Sequence, residues 1–174
     1  MGLIHGFEPI SGPLARCLVL GTMPSKASLR AGQYYANPQN RFWRLVGAAL
    51  GIEFSADYEE RIAQLVAAKL AVWDVLRSCR RESSLDSDID AASAVPNDFA
   101  AFFARHRALR RVYFNGATAE ALYRVRVLPT LPEGLRLAYQ RLPSTSPANA
   151  SIPHAQKLRA WRAIARGARG GPAD

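Results

Sequence analysis

The chain has few cysteines and histidines, which limits the metal and redox chemistry it can carry. Among its 174 residues are two cysteines, Cys17 and Cys79, and three histidines, His5, His106 and His154. Two thiols cannot supply the four thiolates of an iron–sulfur cluster or a closed zinc site, and the histidines are scattered along the sequence. We therefore expect a protein that binds no metal.

The sequence also lacks a long apolar run and an export signal. No segment approaches the ~18 consecutive apolar residues that suggest a membrane-spanning helix. Residues 1–14 have neither the basic start nor the apolar centre of a signal peptide, and Glu8 and two prolines interrupt them. We expect a cytoplasmic protein, in the cytosol or nucleoid of a bacterial-type cell, that has no contact with a membrane.

Acidic residues are few relative to basic ones. Lys and Arg number 23 against 14 Asp and Glu, which gives a net charge of +9. That much positive charge on a small domain favours a polyanionic partner, of which nucleic acid is the commonest. The alternative is a solubilising surface in an arginine-rich proteome, because Arg far outnumbers Lys.

Apolar runs alternate with amphipathic stretches, a pattern typical of strands that alternate with helices. We predict strands at 16–21, 70–76, 110–115 and 135–142, and helices that follow Asn40, Asp57, Asp98, Gly116 and Pro153. Right-handed crossovers between such strands imply a parallel sheet covered on both faces. The prediction is one domain over 1–174, a three-layer α/β/α sandwich with a central four-stranded parallel sheet, a lead-in segment at 1–15, a polar loop at 77–94 and a flexible tail at 167–174.

Two loops that follow predicted strands carry small and hydroxyl residues. The first, residues 21–25, reads Gly-Thr-Met-Pro-Ser, and the second, residues 142–149, reads Leu-Pro-Ser-Thr-Ser-Pro-Ala-Asn. Backbone N–H groups at such strand ends suit a phosphate, and both loops are expected at one edge of the sheet. The alternative is that these glycines and prolines are ordinary turn residues.

Two further features indicate a pocket for a flat heterocycle. Residues 34–40, Tyr-Tyr-Ala-Asn-Pro-Gln-Asn, offer an aromatic ring for stacking and amides for hydrogen bonds. Asn40 precedes a helix and is equally suited to cap it, a role compatible with ligand binding. Asp74 interrupts an apolar strand, where a carboxylate is costly to bury without a partner. It is either ion-paired with Arg77 or another arginine, or it is an acceptor at the pocket floor.

The two loops and their surroundings resemble the uracil-DNA glycosylase superfamily, and most closely its hypoxanthine-DNA (deoxyinosine) glycosylase branch. The matching segments are GTMPSKASLRAGQYYANPQNRFW (21–43), WDVLRSC (73–79), SLDSDI (84–89) and LPSTSPAN (142–149). The resemblance implies the four-stranded fold already predicted and a monofunctional DNA N-glycosylase without a cofactor. Such an enzyme of base excision repair flips a deaminated base out of double-stranded DNA and hydrolyses its N-glycosidic bond. We expect it to act as a monomer.

The resemblance also implies roles for individual residues. Met23 stands two residues after Gly21, where most of the superfamily has Asp or Asn to orient the water. The resemblance to the hypoxanthine branch, which also lacks that residue, implies that the Asn of the Pro-Gln-Asn segment, here Asn40, orients the attacking water. Asp74 falls near the Asn with which relatives read the base edge, and its carboxylate would accept a hydrogen bond from N1–H of hypoxanthine. The implied base pocket is Gly21, Thr22, Met23, Pro24, Tyr35 and Asp74, with Tyr35 as the stacking ring. The implied DNA contacts are Ser25, Ser144, Thr145, Ser146 and Asn149.

Two alternatives stay open at this point. One is a uracil or G:U mismatch DNA glycosylase, although Leu142 stands where uracil-specific enzymes have a histidine before Pro143. The other is a non-catalytic relative that binds damaged DNA, which Met23 makes credible. We also predict that the basic last helix contacts DNA through Arg159 and Arg162.

Overall fold

A computed structural model describes residues 2–170 of the chain. The strands are β1 (Leu3–His5), β2 (Cys17–Gly21), β3 (Leu70–Asp74), β4 (Leu76–Arg80), β5 (Val95–Pro96), β6 (Arg111–Asn115) and β7 (Ala138–Leu142). The helices are α1 (Lys26–Ala31), α2 (Phe42–Leu50), α3 (Tyr58–Ala67), α4 (Phe99–Arg105), α5 (Ala117–Arg126), α6 (His154–Trp161) and α7 (Ala163–Arg169). Short 3-10 helices lie at Asp86–Asp88, Ala91–Ser93, Leu128–Thr130 and Pro147–Asn149.

The central sheet has four parallel strands in the order β3-β2-β6-β7. Trp73 and Phe114 flank Leu20 in register, so their side chains share one face, which α4 and α5 cover through Phe99 and Tyr123. On the other face, the Tyr113 hydroxyl donates to the carbonyl of Ala163 in α7. A sheet covered on both faces has continuously apolar strands, and the sandwich predicted from the sequence is confirmed.

A second, small sheet was missed by the sequence analysis. β4 pairs antiparallel with β1 and with β5, so the predicted lead-in and the predicted polar loop at 77–94 both contain strands. The predicted strand 70–76 divides accordingly, because β3 ends at Asp74 and β4 begins at Leu76. The polar residues of β4 gave no strand pattern in the sequence. The strand forms because it pairs with β1, whose residues lie more than 70 positions away, as Leu3 does with Arg80.

The ends of several helices also differ from prediction. The last helix is two helices that meet at Arg162, and α7 continues to Arg169 instead of fraying at 167. Gly167 is buried, and a β-carbon there would come within 2.5 Å of the Tyr113 hydroxyl and 2.7 Å of the Cys17 sulfur. This glycine therefore lets α7 lie close to the sheet. The rest of the predicted tail, 171–174, lies outside the described residues.

Helix α1, which directly follows the first loop (residues 21–25), was not predicted either. The Ser25 hydroxyl caps it by accepting from the N–H of Ser28. In the part of the chain that the structure describes, no helix is long and apolar enough to span a membrane.

Candidate active site

A cleft of about 680 Å³ opens where the four parallel strands end. The last residues of these strands, Gly21, Asp74, Asn115 and Leu142, all line it. Open α/β sheets bind their ligands at this position. The cleft brings together every residue that the sequence predicted for the site: Gly21, Thr22, Met23, Pro24, Ser25, Tyr35, Asn40, Asp74, Ser144, Thr145, Ser146 and Asn149.

The floor of the cleft is formed where Gly21 meets Asp74. The two residues are register partners on adjacent strands. A β-carbon on residue 21 would lie 2.5 Å from Asp74 Oδ1 and 2.9 Å from the Tyr35 hydroxyl. The absence of a side chain at Gly21 therefore allows a carboxylate and a phenol to converge on its Cα.

The Asp74 carboxylate is buried and forms no ion pair within 4.0 Å among the described residues. Its side chain is 4% exposed, and Oδ2 has no hydrogen-bond partner among the described residues. The alternative of an ion pair with Arg77 or another arginine is wrong, because Arg77 is exposed and no basic group of residues 2–170 lies within 4.0 Å of Asp74. Burial raises the pKa of Asp74 to about 7, with a further rise from Asp86, and Arg81 opposes the shift.

Asp86 and Arg81 lie close to this carboxylate, and the sequence analysis did not assign them to the site. Asp86 lines the cleft and is hydrogen-bonded to the Thr22 side chain. Burial raises the pKa of Asp86, and the Thr22 hydrogen bond and Arg81 oppose the rise. Arg81 is buried, and its Nη2 donates to the carbonyl of Pro24. Both residues belong to the segment predicted as a polar loop, so nothing in the local pattern indicated that Arg81 is buried or that Asp86 is half-buried beside it.

Tyr35 is held in a strained backbone conformation. Its φ of +54° lies in the left-handed region, which costs a bulky residue on the order of 1–3 kcal/mol. The ring stacks on Phe42 with centroids 3.9 Å apart, and the hydroxyl accepts a hydrogen bond from Asn115 Nδ2 at 3.2 Å. Because Phe42 covers one face of the ring, a base could stack on the other face only. The stacking role stays a prediction.

Asn115 links three segments of the cleft wall, and it was identified from the sequence only as a strand end. Its Nδ2 donates to the Tyr35 hydroxyl and, at 2.9 Å, to Thr145 Oγ1, while its Oδ1 accepts from the Thr145 N–H at 2.9 Å. The hydrogen-bonding capacity of the Nδ2 amide is thereby used within the protein. A polar residue at the end of a central strand was the available signal for this position.

Asn40 has a fixed orientation at the start of α2. Its Oδ1 accepts from the N–H of Phe42 at 2.9 Å, and its own N–H donates to the carbonyl of Asn37 at 2.9 Å. The side chain therefore bonds the first N–H of α2, but the N-cap position itself is Arg41, one residue later than the sequence alternative placed it. One lone pair of the same oxygen and the amide hydrogens remain for a ligand or water.

Side-chain hydrogen bonds hold the second of the two loops, residues 142–149, in place, and we call it the late loop. Thr145 is 1% exposed, and both its hydroxyl and its N–H are bonded to Asn115, so its side chain joins two loops instead of facing solvent. The Ser146 hydroxyl accepts from the N–H of Ala148, and Asn149 Nδ2 donates to the carbonyl of Ser144. The predicted DNA contacts of Ser25, Ser144, Thr145, Ser146 and Asn149 stay predictions.

Comparison with known proteins identifies the family. Residues 9–165 match the model of the uracil DNA glycosylase superfamily. The chain belongs to this superfamily. It is 34% identical over 163 residues to a hypoxanthine DNA glycosylase of Methanosarcina acetivorans, with 93% of this chain and 98% of the relative covered. It is 35% identical over 113 residues to a hypoxanthine DNA glycosylase of Methanosarcina barkeri, with coverage of 64% and 70%.

A solved structure shows the same fold. The solution NMR structure of a proposed uracil DNA glycosylase from Methanosarcina acetivorans superimposes with a TM-score of 0.80 and 32% identity, covering 97% of this chain and 99% of the other. These comparisons confirm the family resemblance seen in the sequence. They also confirm the predictions of a DNA N-glycosylase and of DNA as its partner.

Proposed function

We propose that this protein excises hypoxanthine from double-stranded DNA as a monofunctional glycosylase of base excision repair. The observation that carries the proposal is Asp74, a buried carboxylate on the floor of the family's cleft that forms no ion pair within 4.0 Å among the described residues. The names of the two curated relatives support the same substrate. The chain is proposed to act as one domain, since the family match spans 9–165. It is also proposed to act as a monomer.

Asp74 distinguishes a deaminated base from its parent by hydrogen-bond polarity. Deamination of adenine converts N1 from an acceptor into an N–H donor, and an ionised carboxylate accepts from that donor. An adenine in the same place would set two acceptors against each other, and a site built to bond a donor rejects an analogue without it by about 10⁴-fold or more. Uracil also presents an N–H on its Watson–Crick edge, so it is a secondary candidate.

Asn40 is proposed to orient the attacking water. An amide is not basic, so it accepts a hydrogen bond from the water and directs an oxygen lone pair at C1′ of the sugar. The new bond joins the water oxygen to C1′, the C1′–N9 bond breaks, and its electron pair leaves with the base, which ends protonated by the water's hydrogen. Fixed dipoles at such positions typically contribute ~100- to 1000-fold in rate. The bond from the Phe42 N–H keeps the amide in one orientation.

The decisive test is a cleavage assay on duplex oligonucleotides that carry one deoxyinosine, deoxyuridine or deoxyxanthosine, with alkali to reveal abasic sites. We expect strong cutting at deoxyinosine and none at deoxyadenosine in the matched control duplex. Cutting at deoxyuridine only would establish the uracil-specific alternative and overturn hypoxanthine as the substrate. Binding without any cutting would favour the non-catalytic alternative.

A further inference from the structure

Four basic side chains gather beside the late loop on the side where α2 and α6 meet. Arg41 precedes α2, Arg44 lies in its first turn, and His154 and Lys157 belong to α6. The two helices pack together, and the ring of Phe42 contacts that of Trp161 with centroids 6.1 Å apart. We call Arg41, Arg44, His154 and Lys157 the basic cluster.

Hydrogen bonds to backbone carbonyls tie the basic cluster to the wall of the cleft. The N–H of Arg41 donates to the carbonyl of Thr145 at 3.0 Å. Lys157 is 1% exposed, and its Nζ donates to the carbonyl of Asn149 at 2.6 Å. The cluster therefore borders the same loop that lines the proposed active site, and it is rigidly placed relative to that loop.

No acidic group neutralises the basic cluster. Among residues 2–170, no carboxylate lies within 4.0 Å of the charged atoms of these four side chains. His154 Nδ1 is shielded from solvent and has no hydrogen-bond partner in the described chain. Burial, and then Arg41, Arg44 and Lys157, lower the pKa of His154, and burial and Arg41 lower that of Lys157. Like charges held together in this way repel one another until an anion binds.

We infer that the basic cluster binds one or two phosphodiester groups of the DNA strand next to the flipped nucleotide. The inference rests on the proposed function for the identity of the polyanion. Arg41 and Arg44 would contact the phosphates directly, and His154 would join them once protonated. Lys157, whose ammonium is bonded to the loop, contributes its charge and keeps the loop in place.

The basic cluster lies on a different side of α6 from Arg159, through which, with Arg162, the last helix was predicted from the sequence to contact DNA. Arg159 follows Lys157 by two residues, a rotation of about 200° around the helix, so it points away from the cluster. Its side chain is exposed. The two hypotheses therefore predict different effects for substitutions on the two sides of α6.

The test measures DNA affinity against salt concentration for each variant. The probe is a duplex with a tetrahydrofuran abasic-site analogue, which cannot be cleaved, observed by fluorescence anisotropy. Each phosphate contact contributes about 0.9 to the slope of log K against log salt. We expect Arg41→Gln and Arg44→Gln each to reduce the slope by about 0.9 and to weaken binding about tenfold at low salt. The charge-matched control is Arg107→Gln. Arg107 is exposed and lies before the start of β6, near the amino ends of the parallel strands and so opposite the cleft.

Unchanged slopes in both Arg41→Gln and Arg44→Gln would overturn the inference, as would a reduced slope in Arg159→Gln alone. Circular dichroism establishes that each variant is folded, and two substitutions at exposed or half-exposed sites protect the test against one that misfolds. Excision of hypoxanthine by the unmodified protein is measured separately. If no base is excised but the slopes fall as expected, the phosphate site stands and the proposed function fails.

Discussion

Gly21 and Asp74 face each other across adjacent strands so closely that a β-carbon on residue 21 would lie 2.5 Å from the carboxylate oxygen Oδ1. The same β-carbon would lie 2.9 Å from the hydroxyl of Tyr35. A missing methyl group therefore determines where two side chains of the cleft are placed. Gly21 is not among the glycines with a positive φ, so its backbone conformation does not require glycine. The reason for glycine at this position is the lack of space for a side chain.

Gly21→Ala should impair excision far more than folding. The new methyl group must displace Asp74 or Tyr35, and a displacement of about 1 Å at a reacting centre can cost about 100-fold in rate. We expect a loss of that size in kcat/KM on deoxyinosine DNA with a native circular dichroism spectrum. Gly2→Ala, at an exposed position with no atom within 4 Å of the added carbon, is the control. Full activity in Gly21→Ala would show that the floor geometry is unimportant.

Excision of hypoxanthine should fall as the pH is lowered through about 7. Asp74 has a pKa of about 7, and only its ionised form accepts from N1–H without competing as a donor. The acidic limb of kcat/KM should therefore have a midpoint near that value in the free enzyme. In Asp74→Asn this limb should disappear, and the overall rate should drop because a neutral amide is a weaker acceptor. A limb that persists unchanged in the variant would have to come from another group.

Asp74→Asn should also stabilise the folded protein at alkaline pH. The pKa of Asp74 in the folded state, about 7, is above its ordinary value of 3.8, so the folded protein binds the proton more tightly. The stability it contributes is present below 3.8 and is lost as the pH rises towards 7, by an amount on the order of 4 kcal/mol at most. We expect Asp74→Asn to unfold at higher urea concentration than the wild type at pH 8, with a smaller difference at pH 5. A difference independent of pH would contradict a buried charge.

Asn40→Ala should abolish excision while leaving DNA affinity nearly intact. The side chain orients the water in the proposed mechanism, and it also accepts from the Phe42 N–H, a hydrogen bond typically worth ~0.5–1.5 kcal/mol. Asp90→Ala removes an equivalent bond to the N–H two residues later, away from the cleft, and controls for lost stability. Single-turnover excision and anisotropy would be measured on the same duplexes. A parallel loss of affinity and activity would reduce Asn40 to a binding or capping residue.

DNA affinity should increase as the pH falls, and His154 should be responsible. In the free protein, burial and the neighbouring cations lower the pKa of His154, so the ring is largely neutral at pH 7. A bound phosphate favours the charged ring, so binding takes up a proton and strengthens as the pH falls through the interval between the two pKa values. Anisotropy titrations from pH 8 to about 5.5 would show this trend, and His154→Gln should flatten it. An identical trend in the variant would exclude His154 as the linked group.

The sequence predicted the features that depend on local patterns. Apolar runs identified all four strands of the central sheet, and the ends of those strands identified the cleft and its residues. A charged residue inside an apolar run, Asp74, was conspicuous without any structure. At Gly167 the local pattern was misleading, because a glycine near the end of the chain suggested a flexible tail. In the structure, this glycine allows α7 to lie close to Cys17 and Tyr113 of the central sheet.

Amino-acid sequence alone determined the fold class and the edge of the sheet at which the site lies, because periodicity and turn residues act over short distances along the chain. The family followed from the resemblance of its motifs to those of known glycosylases. Only the tertiary structure decided which polar groups are paired and which are left without partners. The bond from Arg81 to Pro24, the bonds from Asn115 to Tyr35 and Thr145, and the assembly of Arg41 with His154 join segments far apart in sequence. Burial and charge proximity shift the pKa values of Asp74 and His154, and both arise only when the chain has folded.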